Sequence, residues 1–143
     1  MAEFLLKSML REVGIEAQVH VRSGGIAIFA RDNSLVSQDV MILLKDDGID
    51  VPEDFRSIDL KRHLDCIEEA DLILTMTARQ IEKLMEFSEA AGKAVYTLKQ
   101  FAGEAGDIAD PEGRHDDAYA ECKVEVERCL KKSFGKICPQ TAH

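Results

Sequence analysis

The stretch Ala70-Asp71-Leu72-Ile73-Leu74-Thr75-Met76-Thr77-Ala78 decides the fold. Leu72 to Met76 is a short unbroken run of apolar and β-branched residues, the pattern of a strand covered on both faces. Thr77 is a helix-capping residue type. From Ala78 to Ala91 the pattern is helical, and Gly92 ends it. A buried strand that runs straight into a helix is the repeating unit of a parallel α/β sheet.

Working outward, Ala94 to Leu98 reads as the next strand. Phe101 to His115 reads as a long loop rich in Gly, Ala and Asp, and Asp116 to Phe134 as the last helix, with Tyr119, Val126 and Leu130 among its apolar positions. Upstream, Leu60 to Glu69 predicts a short helix with Leu60, Leu64 and Ile67 inward, and Ile49 to Ser57 a loop around Pro52. Ser34 opens a helix to Lys45 with Val36, Val40, Leu43 and Leu44 as its stripe. Phe4 to Val13 is an amphipathic helix stopped by Gly14. Ala17 to Arg22 predicts a strand, with Val19 and Val21 on one face and Gln18, His20 and Arg22 on the other, broken by Ser23-Gly24-Gly25. The order implies a three-layer α/β fold with a parallel sheet flanked by helices, which places ligands at the carboxyl ends of its strands. Three strands are few for so many helices, and the sequence opens on a helix, so a further strand ahead of Met1 is expected.

Composition narrows the function. The chain has 143 residues, 45% of them apolar, and a formal net charge of −9. Length and apolar content suit one folded domain rather than a disordered chain. The expected domain spans 1–135, with 136–143 as a flexible tail. No apolar run approaches the ~20 residues of a bilayer span. Glu3, Lys7 and Arg11 interrupt the start, so no signal peptide is expected. The acidic balance speaks against nucleic acid as a partner, because that binding needs clustered Lys and Arg. Cys66, Cys122, Cys129 and Cys138 lack zinc-ligand spacing, so no metal is expected, and the thiols are expected to be free in a reducing cytoplasm.

Residue spacing alone points to few sites. Ser23-Gly24-Gly25 matches neither the dinucleotide nor the P-loop pattern and reads as a turn. His20, His63, His115 and His143 are scattered. The loop segment Gly106-Asp107-Ile108-Ala109-Asp110-Pro111 follows a strand, where active-site loops of α/β folds belong. Pro111 holds Asp110 extended, and a carboxyl presented in this way can act as a general acid. Asp-Pro is equally an ordinary turn opener.

Six segments taken in order resemble one family. They are Met1-Ala2-Glu3-Phe4, Arg22-Ser23-Gly24-Gly25, Gly48-Ile49-Asp50, Ala70 to Thr77, Tyr96-Thr97-Leu98-Lys99-Gln100-Phe101-Ala102-Gly103, and Gly106 to Pro111. Together, from Met1 to about Lys132, they resemble the low-molecular-weight protein tyrosine phosphatases, whose bacterial members include protein-arginine phosphatases and whose fold some arsenate reductases share. The resemblance implies a four-stranded parallel sheet and phosphomonoester or phosphoramidate hydrolysis through a cysteinyl-phosphate. It also implies no cofactor, and a phosphorylated protein or small phosphoester as partner. Asp110 matches the general acid, and Ser23 matches the serine that supports the phosphate loop.

The sequence departs from this pattern where the nucleophile belongs. The family's Cys-x5-Arg loop precedes Met-Ala-Glu, and here Met-Ala-Glu stands at the start, so the first strand, the Cys and the Arg are expected ahead of Met1. Cys122 and Arg128 satisfy the spacing, but they fall in the predicted last helix, with two glutamates and no glycine between them. A continuous helix spends its N–H groups on its own ladder and cannot cradle an anion. The chain alone is therefore expected to be inactive. A non-catalytic binding module, half of a split protein, and an arsenate reductase are the alternative readings. Glu112 stands where the family has an aromatic residue and Phe55 where many members have His. Cys122 and Cys129, seven apart, are similar in spacing to relay thiols of related arsenate reductases, but they fall on the predicted last helix rather than in a mobile loop.

Overall fold

A computed structural model of the chain describes residues 1–27, 30–111 and 117–137. It divides into two compact units, neither continuous in sequence: 1–22, 36–55 and 111–143 in the first, and 23–35 and 56–110 in the second.

The first unit is helical. It holds α1 (Ala2–Glu12), α2 (Gln38–Asp46) and α6 (Ala118–Ile137), with α1 and α2 each packed on α6. Phe4, Leu5, Leu6, Leu10, Val40, Leu44, Val126, Cys129 and Leu130 are buried. The Phe4 ring meets Phe55 edge-on, with centroids 4.7 Å apart, a favoured aromatic geometry. Lys123 of α6 pairs with Asp47 just past α2 and with Glu127 at 2.9 Å. The Asp47 contact, followed by Glu127, holds the ammonium pKa above its ordinary value.

Helices α1 and α2 end the same way. Gly14 and Gly48 adopt φ of 74° and 75°, and the next residue donates back across the turn: Ile15 N to Leu10 O at 3.0 Å, Ile49 N to Leu44 O at 2.9 Å. These are Schellman closures, in which a left-handed residue lets the chain satisfy its last carbonyls.

The second unit carries the sheet. Strands β1 (Leu72–Thr75) and β2 (Ala94–Thr97) pair in parallel, with Leu72 opposite Ala94 and Thr75 opposite Thr97. Around them run a 3₁₀ turn (Leu60–Arg62), α3 (Leu64–Glu69), α4 (Ala78–Leu84), a second 3₁₀ turn (Ser88–Ala90) and α5 (Leu98–Phe101). The core is Ile67, Leu84 and Ala90, with Ile26, Leu60, Leu64, Ile73, Phe87 and Val95 against it. The α/β class with a parallel sheet and helices holds.

Several sequence expectations need correction. Ala17 to Arg22 is not a strand: 16–18 form a turn and 19–22 run without a ladder. The expected alternation is present, with Val19 and Val21 half-buried and His20 and Arg22 exposed. A strand, however, also needs a partner for its N–H and C=O groups, and no described strand supplies one. The sheet accordingly has two strands, plus one isolated parallel bridge between Gly25 and Asp59. β1 is half-buried at all four positions rather than covered on both faces.

Helix α2 begins at Gln38, not Ser34. Ser34 N donates to Ser57 Oγ and Ser57 N donates to Ser34 O, so this backbone is committed to a loop, and Ser37 caps the helix instead. The helix expected over 60–69 breaks at His63, whose φ of −137° is extended. The helix expected over 78–91 ends at Leu84, because Phe87 turns extended and joins the core. Leu98 opens α5 rather than closing β2, since Thr97 and Gln100 form a capping box. α6 continues to Ile137. Its expected start at Asp116 lies outside the described residues, as do Glu112, His115, Cys138 and His143.

The segment after Ser23 is knotted onto 57–63. Gly24 and Gly25 lie so close to their neighbours that a Cβ on Gly24 would sit 2.7 Å from Leu60 Cγ, and one on Gly25 2.8 Å from Ala30 Cβ. Asp32 Oδ1 accepts from Asp59 N at 2.7 Å and lies 3.0 Å from His63 Nε2. Ser57 Oγ donates to Arg31 O at 2.6 Å. The bond from the Asp59 backbone, then the His63 contact, holds the Asp32 carboxyl below its ordinary pKa.

Two measurements test these contacts. Gly48→Ala is expected to lower stability by about 1 kcal/mol in urea unfolding, because a Cβ there meets nothing within 4 Å and only the positive φ is penalised. A lowered carboxylate pKa stabilises the fold above the unfolded value, about 3.9, and that contribution is lost as pH falls through the folded value. Asp32→Asn should therefore be less stable than wild type at neutral pH and show a shallower loss of stability below about pH 4. Parallel pH curves for the two proteins would exclude this role.

Candidate active site

The carboxyl ends of the two parallel strands lie side by side in the second unit, and each turns into a helix through the same device. Thr77 Oγ1 accepts from Gln80 N at 3.2 Å, while Gln80 Oε1 accepts from Thr77 N at 3.2 Å and Met76 N at 2.9 Å. Thr97 Oγ1 accepts from Gln100 N at 3.0 Å, and Gln100 Oε1 accepts from Thr97 N at 3.4 Å. These reciprocal capping boxes satisfy the orphan donors of α4 and α5. Thr75 Oγ1 donates to Thr77 O at 2.8 Å across the turn.

The loop bearing Asp110 is fastened to this end of the sheet. After α5 the chain reverses through Gly103 and Gly106, both with positive φ. Ile108 N then donates to Met76 O at 2.9 Å, and Asp107 Oδ1 accepts from Ala78 N, the first helical N–H of α4, at 2.9 Å. Ile108 is 2% exposed and plugs the loop into the interior. Asp110, two residues on from this tether, is exposed and followed by Pro111. An exposed carboxyl on a tethered loop at the carboxyl edge of a parallel sheet can exchange protons with a ligand placed there.

Ser23 is exposed, immediately before Gly24-Gly25 and the bridge to Asp59. Gly25 N donates to Ile58 O, and Leu60 N to Gly25 O, each at 2.9 Å, so the segment after Ser23 is held in place. The described contacts thus fix Ser23 through 58–60 and Asp110 through 76–78. Cys122 and Arg128 both lie inside α6, whose continuous helix leaves no cradle between them. Cys66, Cys122 and Cys129 form no disulfide among the described residues and are half-buried, half-buried and buried. Reading the sequence overlooked Asp107, Ile108, Gln80 and Gln100. Two signals pointed to them: the Thr-x-x-Gln spacing repeated at 77–80 and 97–100, and one large aliphatic residue in a polar loop.

The tether can be tested without turnover. Asp107→Ala is expected to speed amide exchange at Ile108 by up to about tenfold, the effect of losing one charge-assisted hydrogen bond, while Leu74 and Val95 keep their protection. Unchanged exchange at Ile108 would show the contact to be idle.

Comparison with known proteins identifies the family. The family model described as low molecular weight phosphotyrosine protein phosphatase matches residues 1–141. A protein-arginine-phosphatase of Bacillus subtilis is 32% identical over 133 residues, covering 92% of this chain and 83% of the relative. The low molecular weight protein-tyrosine-phosphatase PtpB of Staphylococcus aureus is 30% identical over 137 residues, covering 94% and 89%. Among solved structures, the YwlE arginine phosphatase from Geobacillus stearothermophilus superposes with a TM-score of 0.79 at 33% identity, over 95% of this chain and 82% of that one. A low molecular weight protein tyrosine phosphatase from T. tengcongensis gives 0.82 at 26% identity, over 94% and 88%. With a family match over nearly its whole length and a capped parallel sheet carrying an Asp-Pro loop, the chain belongs to the low molecular weight phosphotyrosine protein phosphatases.

Proposed function

We propose that this chain carries the proton-transfer half of a protein phosphatase site, with Asp110 as general acid and Ser23 as support for a phosphate loop. The observation that carries the reading is the fastening of the Asp110 loop to the carboxyl end of β1 through Ile108 and Asp107. In the reaction, a cysteine thiolate attacks phosphorus and the bond to the leaving oxygen breaks. The protonated Asp110 carboxyl donates its proton to that oxygen. The carboxylate so formed then takes a proton from the water that attacks the cysteinyl-phosphate, which frees phosphate and the thiolate. For a phosphoarginine the leaving atom is nitrogen, and Asp110 serves it in the same way.

The nucleophile of this scheme is not among the cysteines of the 143 residues, because the single Cys-x5-Arg spacing, Cys122 to Arg128, is helical. Phosphoryl transfer depends on charge stabilisation by such a loop. The supporting role of Ser23 rests on its place in the family pattern, and the hydrogen bonds that hold Gly25 behind it support the reading. Phosphotyrosine and phosphoarginine are both substrates within the family, to judge from the names of the relatives.

The 143-residue chain is expected to release no p-nitrophenol from p-nitrophenyl phosphate. A chain extended ahead of Met1 by a strand and a Cys-x5-Arg loop is expected to turn over, and Asp110→Ala in that protein to lower kcat by about 100-fold or more. Turnover by the 143 residues alone would overturn the absence of a nucleophile. An extended enzyme indifferent to Asp110→Ala would overturn the acid. Parallel assay on phosphotyrosyl and phosphoarginyl peptides identifies the substrate.

A further inference from the structure

We propose that the hollow between α1 and the segment 16–21, in the helical unit, binds a small organic anion. The hollow has a volume of about 270 Å³ and is lined by basic side chains over aliphatic ones. Lys7 and Arg11 stand one turn apart on α1 and share its face, and His20 lies on the opposite wall. Val19 and Val21, half-buried, form the apolar part of that wall, and Leu10 lies below them. In a chain of net charge −9, these basic groups are gathered at one place.

The charges are unequal in their availability. Lys7 Nζ is 2.6 Å from Glu3 Oε2, and Glu16 also lines the hollow, so Arg11 is the basic group at the rim with the most charge to offer. Arg22 adds to it through His20: its Nε donates to His20 Nε2 at 3.0 Å. The His20 ring and the Arg22 guanidinium are thus linked at this side of the hollow. The volume falls just below the ~300–1,000 Å³ of ordinary small-molecule sites, which suits a single anionic group on a compact apolar body. Carboxylates and phosphate-type groups meet the rim equally well. The aliphatic wall separates both from inorganic phosphate.

The test is a ¹H–¹⁵N titration of the 143-residue chain with benzoate, phenylphosphonate and inorganic phosphate. The expected result is saturable shifts at Leu10, Val19, His20 and Val21 with one or both aromatic anions, and binding of inorganic phosphate about tenfold weaker or less. Benzoate alone would identify carboxylates as the ligand class, and phenylphosphonate alone phosphate-type groups. Arg11→Gln, at an exposed position, is expected to weaken the binding about tenfold, the worth of one charge-assisted contact. His20→Gln makes the same comparison should Arg11→Gln fail to fold. Absent or non-saturating shifts, equal binding of inorganic phosphate, or undiminished affinity in the folded variants would each overturn the proposal. None of these outcomes depends on Asp110 or on turnover.

Discussion

Backbone N–H and C=O groups removed from water need partners, and the sheet-bearing unit is organised around that constraint. The parallel ladder of Leu72–Thr75 with Ala94–Thr97 satisfies one edge of each strand. Where the ladder stops, the next backbone groups pass to side chains: Thr77 and Gln80 after β1, Thr97 and Gln100 after β2. The remaining groups at the end of β1, Met76 O and Ala78 N, are taken by Ile108 and Asp107 of the returning loop. The carboxyl edge of the sheet is thus a set of satisfied polar contacts, and Asp110 inherits its position from them.

The same constraint explains where structure is lacking. Ala17 to Arg22 keeps the alternation of a strand without becoming one, since its backbone meets no described strand. Ser34 is a plausible helix opener by type, yet its N–H and C=O are both engaged by Ser57, and the helix starts four residues later, at Gln38 behind its cap Ser37. Local preference proposes an element, and backbone pairing decides whether it forms.

Electrostatics plays a smaller and more local part. The chain carries a net charge of −9, and a few of its charged groups carry structure. Asp32 gathers Asp59 N and His63, Asp59 pairs with Lys61 at 2.9 Å, and Lys61 also donates to Ala27 O. Both carboxyls are held below their ordinary pKa, Asp59 chiefly by its bond from Lys61. In a chain of net charge −9, Lys7, Arg11 and His20 line one hollow together.

The sequence by itself determined what depends on neighbours within a few residues. The amphipathic stripes of α1, α2 and α6, the strand at Leu72–Thr75, the cap at Thr77 and the glycine closures at Gly14 and Gly48 rest on periodicities of two and 3.6 or on one residue's φ. Asp110 was visible there too, through its Asp-Pro pair, as was the helical setting of Cys122 and Arg128. The tertiary structure alone decided what joins distant residues. Asp32 meets His63 across 31 positions, Asp107 meets Ala78 across 29, and the strand expected at 17–22 finds no ladder. Such contacts form only once chain entropy has been overcome by folding. No local pattern encodes these pairings, so Asp110 could be singled out as a candidate in the sequence, while the partners to which its loop is tied could not.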